Sequence, residues 1–228
     1  MKKLLTYDIL LQWRQGFWMI YFVVCLMYLA ILFSIPSENR LFISILFVLS
    51  DTSVLGVTFV GALILLEKQQ NVLQSLFVTP MKLNQYLWSK TISLGLIALT
   101  MSFLLLVLPN KVDGYLWVRI YAVVTSSIIF TLMGIGFGSR VNTINQYFGT
   151  ILMGSMIILL PVVPFLLWEQ FSWLVIFPFN AALEIMFPEM FNVASGRLLF
   201  DGISLLGWCF ISYNFTRYQM IRNILNKA

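Results

Sequence analysis

The chain has 228 residues, of which 60% are hydrophobic, 16% aromatic and only 10% charged, against the roughly 25% charged residues usual in soluble domains. That composition excludes a soluble enzyme and describes one integral membrane domain, long enough for about six crossings of about 20 apolar residues each. The formal charge of +5 comes from Lys and Arg scattered through short loops rather than gathered into a stripe, so it points to membrane topology and away from nucleic acid. There is no His, and Cys25 and Cys209 each sit inside an apolar run. Neither a metal cluster, nor a disulfide framework, nor a His-based nucleophile set is therefore expected.

In chain order, the start "MKKLLTYDILLQWRQG" mixes apolar with charged residues and lacks an A-x-A-like cleavage site, so it does not read as a removable signal peptide. Residues 1–16 suit a helix lying in the membrane interface, or equally the plain start of a long first helix. Apolar runs then give six expected spans, at about 17–34, 42–66, 87–108, 117–138, 149–168 and 198–215. Lys2, Lys3, Arg14, Lys68, Lys82, Lys90, Arg140, Arg217, Arg222 and Lys227 fall on one side, and only Arg40, Lys111, Arg119 and Arg197 on the other. The positive-inside rule makes the first side cytoplasmic, with both termini on it.

Between the fifth and sixth expected spans, residues 169–197 are apolar but cut by Pro178 and Pro188 and dotted with Glu169, Asn180, Glu184 and Glu189. Each piece is too short to cross. A pair of short helices dipping into the outer leaflet fits, with an ordinary extracellular loop as the alternative.

The longest polar interruption of the first half is "LLEKQQNVLQSLFVTPMKLNQYLWSK", residues 65–90. Val72, Leu73, Leu76 and Phe77 recur on one face of a short amphipathic helix over 67–79, with Glu67, Lys68, Gln70, Asn71, Gln74 and Ser75 around the rest. Pro80 ends that helix, and Thr79 followed by Pro80 suits the start of another that runs into the third span, with Lys82 where a capping-box acid would stand. Such a helix, held between two spans, either rests on lipid headgroups or receives a push from a partner.

This loop resembles the first cytoplasmic loop of ABC type-2 (type V) exporter permeases through Glu67, Leu73, Leu76, Thr79, Pro80, Tyr86, Leu87 and Lys90. The preceding "LSDTSVLGVTFVGALILLEK", with Asp51, Gly56, Phe59 and Gly61, is similar to the group named for fluoroquinolone export, as is "DILLQWRQGFWMIYF". The likeness is good over about residues 8–100. It departs from the family at Asn71 and Val72, where Gly-Thr is usual, and at Gln74, where Glu is common.

The resemblance implies an all-α integral membrane protein of a bacterial cytoplasmic membrane, a single permease domain over 1–228. Its partners would be a separate ABC ATPase subunit, a second permease chain, identical or sister, and membrane lipid. ATP and Mg would be bound by the ATPase and no cofactor by this chain. The loop would be the coupling helix, with Glu67, Gln70, Leu73, Leu76, Phe77, Thr79 and Pro80 as the ATPase-coupling residues. The cargo would be a hydrophobic or amphipathic drug, lipid or peptide. A haem-export permease of cytochrome c maturation, or a membrane immunity or assembly factor that does not transport, are the alternatives.

Two further features lie within spans. Asp51 falls about a third of the way into the expected second span, where an ionisable group must face protein or water. It either lines the translocation path or a permease contact, or it is a helix-end residue at the outer interface. "MGIGFGSR", residues 133–140, follows no strand and lacks the Lys-Ser/Thr of a phosphate loop. Gly134 and Gly138 are instead a small-xxx-small pair for close helix packing. Pro161 and Pro164 are expected to kink the fifth span.

Overall fold

A computed structural model describes residues 2–70, 72, 82–110, 114–191, 193 and 195–223, and among these it is helical with no strand. In chain order the helices are α1 Lys2–Arg14, α2 Phe17–Ser34, α3 Ser37–Gln69, α4 Leu83–Val107, α5 Leu116–Arg140, α6 Ile144–Leu159, α7 Val162–Leu167, α8 Pro178–Met186 and α9 Ser195–Asn223. A 3₁₀ stretch, Glu169–Ile176, joins α7 to α8.

The first two helices are separate. Gly16 sits at φ 76° and ψ 11°, a left-handed conformation that only a residue without Cβ adopts freely. The chain turns there, and α1 lies against α4 rather than extending α2.

Among the described residues five helices are long and apolar enough to cross a membrane: α2, α3, α4, α5 and the stretch Gly196–Asn223 of α9. The fifth expected span, 149–168, is not one helix. It is α6 of 16 residues and α7 of 6 residues, broken by a turn at Leu160 and Pro161. Proline has no N–H to continue the ladder and its ring collides with the carbonyl one turn back. The broken segment still carries the chain from one end of the bundle to the other. It begins beside Leu65 and Val141 and reaches the Pro161 carbonyl, which accepts from Asn180 of α8 at 3.3 Å.

The central helix is α5, which packs most extensively on α3 and also on α9 and α4. Tyr121 donates to the Gly202 carbonyl (2.9 Å) near one end and Thr216 to the Leu132 carbonyl near the other, so α5 and α9 run parallel. Against α3 the approach is set by glycines. A Cβ on Gly56 would stand 2.7 Å from Phe130 Cβ and from the Thr131 nitrogen, and one on Gly138 would stand 3.0 Å from Gly61 Cα. Gly134 meets the Gly56 carbonyl oxygen and Val57 in the same way. Facing glycines let two backbones come within contact, which replaces the missing hydrophobic drive between helices in lipid with van der Waals packing.

Within α3, Leu55–Phe59 forms a π turn, a one-residue widening that leaves carbonyls off the regular ladder. One is used at once: the Tyr147 hydroxyl of α6 donates to the Val57 carbonyl, with its ring lying over Gly61.

Cations from one helix cap the carbonyl ends of others. Lys68 of α3 donates to the Ser139 and Val141 carbonyls at the end of α5, at 3.3 and 3.0 Å. Arg40 of α3 reaches the Ile35 carbonyl past α2 (3.0 Å) and the Pro109 carbonyl past α4 (3.2 Å). Arg119 of α5 reaches the Met186 carbonyl at the end of α8 (2.8 Å). The last carbonyls of a helix have no intrahelical donor and the helix end is negative, so a cation there satisfies both needs.

Gly134→Ala is expected to lower stability by about 1–3 kcal/mol, because the added methyl has only backbone to displace. Gly207→Ala is the matched control: nothing lies within 4 Å of its Cβ position, so loss of glycine's flexibility should stabilise α9 by about 0.5–1 kcal/mol. Unfolding temperatures of the two purified variants, moving in opposite directions, check the packing.

Candidate coupling site at the base of the bundle

Three elements meet at the root of the 70–82 connection. From α1 come Asp8 and Gln12, one helical turn apart and so on one face. From α4 come Tyr86 and Lys90, again one turn apart, with Ser89 and Ser93 beside them. From the end of α3 come Glu67 and Lys68. The spacing of four brings each pair together once α1 is laid along the start of α4.

Lys90 is the centre. Its Nζ lies 2.8 Å from Asp8 Oδ1 and 2.5 Å from Glu67 Oε1, and the side chains of Lys90, Asp8 and Glu67 are only 4%, 3% and 12% exposed. The second oxygen of each acid has its own donor. Tyr86 donates its hydroxyl to Glu67 Oε2 and Ser89 to Asp8 Oδ2, each at 2.5 Å. Gln12 donates to Ser93 Oγ (2.9 Å), which donates in turn to the Lys90 carbonyl (3.0 Å). Charges removed from water are tolerable only when paired and fully hydrogen-bonded, and this set meets that condition. With two acids and one base it keeps a formal charge of −1.

The next residue, Lys68, ties the same end of α3 to the end of α5. Glu67 and Lys68 therefore bind the root of the connection to α4 and α1 on one side and to α5 on the other. Beside them opens a cleft of about 230 Å³, lined among others by Tyr7, Asp8, Leu63, Glu67, Gln70 and Val72.

Of the residues expected to couple to a partner, Glu67 sits in this ion cluster and Gln70 caps α3, its amide donating to the Leu66 carbonyl (3.0 Å). Leu73, Leu76, Phe77, Thr79 and Pro80 lie outside the described residues. Among the described residues the helix leading into the third span starts at Leu83, after Lys82 in extended conformation; the expected start at Thr79 and Pro80 lies outside them. The Lys82 amide donates to the Gln85 side chain (3.4 Å).

Asp51 is far from this site. It lies between the stacked pair Tyr28 and Phe47, with ring centroids 4.5 Å apart, and the edge-on pair Tyr21 and Phe59, 5.4 Å apart. That is the level of Cys25, midway along α2, and α3 begins fourteen residues earlier at Ser37. Asp51 is thus at mid-helix depth rather than at a helix end, half-buried. Cys25 and Cys209 are both free thiols, and among the described residues no three of His, Cys, Asp and Glu gather into a metal set.

Sequence reading alone did not assemble Asp8, Gln12, Ser89 and Ser93 with Glu67 and Lys90. The available signal was the polar spacing of four within otherwise apolar helices, at Asp8 and Gln12 and at Tyr86 and Lys90. Removing the central cation should be severe. Lys90→Met is expected to cost about 3–5 kcal/mol, because it strands two buried acids. Adding Asp8→Asn and Glu67→Gln should restore most of that loss, since no unpaired charge remains. Thermal unfolding in detergent checks it; equal losses in the single and triple variants would assign the effect to packing.

The site joins an amphipathic connection, two long spans and an N-terminal helix through buried charge. Residues 1–198 match the family described as Fluoroquinolones export permease protein family, a stretch that includes α1 through α8 and every residue of the site. No curated relative matches the chain. The chain belongs to the fluoroquinolones export permease protein family.

Proposed function

We propose that the chain is the transmembrane permease subunit of an ATP-driven ABC exporter that couples, through its 67–79 loop, to a separate ATPase subunit. The observation that carries this reading is the Asp8, Glu67 and Lys90 cluster, with Lys68 beside it on the carbonyl end of α5. A loop anchored in this way cannot be displaced alone. A push on it moves the ends of α3 and α4 together, takes α1 along through Asp8, and reaches α5 through Lys68.

The stroke then has a path upward. The lower part of α3, Val60–Gln69, is held to α5 by Gly61 on Gly138 and to α6 by Tyr147. Above it the π turn Leu55–Phe59 is the point at which the helix can take up a change in winding. Rotation of the upper part of α3 carries Asp51, the polar point at mid-depth, toward or away from the translocation path or a second permease chain, identical or sister. ATP and Mg belong to the partner, whose closure supplies the energy.

Counting the broken α6 and α7 segment as a sixth crossing returns both termini to one side, and the Lys and Arg excess makes that side the cytoplasm. In this arrangement α1 lies in the inner interface, and the 169–197 hairpin faces outward. The family's name supports a drug-like cargo, and the apolar, aromatic walls suit a hydrophobic or amphipathic molecule. The outward apolar surface of α2, including Met19, Phe22, Val23 and Met27, meets lipid or the second permease.

Two experiments test this reading. Phe77→Ala should weaken association with the ATPase by about 2 kcal/mol, as truncated hot spots do, and Leu76→Asp should abolish co-purification while membrane insertion survives. Full retention of a working ATPase by Leu76→Asp would end the coupling reading. For topology, Trp173→Cys in a background lacking Cys25 and Cys209 places an exposed position of the hairpin within reach of an impermeant thiol reagent. It should label in intact cells, and labelling only after permeabilisation would invert the orientation.

A further inference from the structure

The end of the bundle away from Glu67 holds a second buried charge set, which takes no part in the coupling cluster. On α8, Asn180 and Glu184 stand one turn apart, both fully buried. Against them on α9 lie Arg197 and, one turn further, Asp201. Arg197 pairs with Glu184: Nη2 donates to Oε2 at 3.1 Å and to the Ser172 carbonyl at 3.4 Å, while Nε forms an ion-pair contact at 2.5 Å from Oε1, which has no hydrogen-bond donor among the described residues.

Asp201 is fully buried as well, and among the described residues neither of its carboxylate oxygens meets a donor. The same holds for Asn180 Oδ1, because the amide nitrogen of that residue is turned to the Leu174 carbonyl (2.9 Å) and the Pro161 carbonyl (3.3 Å). Three other charged or titratable groups on the packed helices have carbonyl partners of their own. Arg119 of α5 places Nε on the Met186 carbonyl, Tyr121 donates to the Gly202 carbonyl, and Arg40 of α3 holds the Ile35 and Pro109 carbonyls.

Glu184 and Asp201 against Arg197 leave a formal charge of −1 where no water reaches the acids. Burial pushes the Glu184 carboxyl upward, while the adjoining guanidinium opposes that rise. A carboxylate with no exposure and no donor is among the costliest groups a fold can hold. A proton cancels the charge without needing space. It also supplies the one donor that this oxygen-rich set lacks.

We propose that Asn180, Glu184 and Asp201 form a one-proton site that fastens α8 to α9, with the proton carried by Asp201 and lost when the solution on that side turns alkaline. Loss of the proton sets two buried negative charges beside one arginine and drives the hairpin helix away from α9. The mouth of the bundle at this end then loosens with rising pH.

The sign follows from linkage. In the unfolded chain an aspartate ionises near 4, whereas the folded site retains its proton, so the stabilisation is complete in acid and disappears as pH rises through the folded titration. The test uses the full chain purified in detergent without an ATPase, unfolded thermally between about pH 5 and pH 9. The unfolding temperature of the natural chain should fall by about 4 °C per pH unit once the site titrates, the slope of one linked proton in a chain of this size. Asp201→Asn should flatten that slope and equal or exceed the natural chain at the alkaline end. If that variant does not fold, Glu184→Gln serves instead, since it frees Arg197 to pair with Asp201 and should flatten the profile too. Amide exchange over 178–186 should accelerate beyond its intrinsic pH dependence in the natural chain only. A flat profile for the natural chain, or an unchanged slope in Asp201→Asn, would overturn the proposal. So would a rise in unfolding temperature at fixed pH when sodium chloride replaces choline chloride, because a sodium ion would then occupy the place assigned to the proton.

Discussion

The rest of this structure depends on one constraint: a chain with few charges, folded into a bundle with little water inside, must pair every charge that it buries. Lys90 shows how. Its ammonium is held between Asp8 and Glu67, and the remaining oxygens of both acids take donors from Tyr86 and Ser89. No single helix could supply that set. The ion cluster therefore fixes where α1 lies, how the end of α3 meets the start of α4, and where the connecting loop emerges. Breaking it would strand charge, so the three elements move together or not at all.

The same constraint accounts for the minority of cations at the far end. By loop charge alone Arg40, Arg119 and Arg197 look like exceptions to the positive-inside pattern. In the structure each is engaged within the fold. Arg40 and Arg119 hold the carbonyl ends of α2, α4 and α8, and Arg197 neutralises Glu184. A guanidinium with several donors suits this role, because it can serve two carbonyl groups or both oxygens of one acid. These arginines are ligands of the fold more than topology signals.

Between the two charged ends, close packing replaces charge. Facing glycines at Gly56 and Gly134 and at Gly61 and Gly138 bring α3 and α5 into backbone contact, and Tyr147 adds a hydroxyl to the π turn of α3. This seam runs straight from the coupling cluster to the level of Asp51. The lower half of α3 is thus clamped to α5 and α6 by glycine contacts and a hydroxyl, and its upper end is held by Arg40.

Much was decided by the sequence itself. Apolar runs at bilayer length fix α2, α3, α4, α5 and α9 as long helices, because a backbone in lipid has to satisfy its own hydrogen bonds. Pro161 fixes the interruption of the fifth segment, since proline removes a donor wherever it stands, though not that the two pieces would be only 16 and 6 residues long. The pair Gly134 and Gly138 announces a close helix approach, but not that its partners are Gly56 and Gly61. Which acids face Lys90 was illegible for the same reason: Asp8 is 82 residues away and Glu67 is 23 residues away on another helix, and local periodicity carries no information about which helices become neighbours. Asp51 could be set at mid-depth only by the aromatic pairs above and below it on α2. Asp201 carries no local signal in the sequence; only the packing of α8 on α9 buries it. Local chemistry chose the elements; the pairing of buried charges and the contact of glycine faces, both properties of the assembled bundle, chose their neighbours.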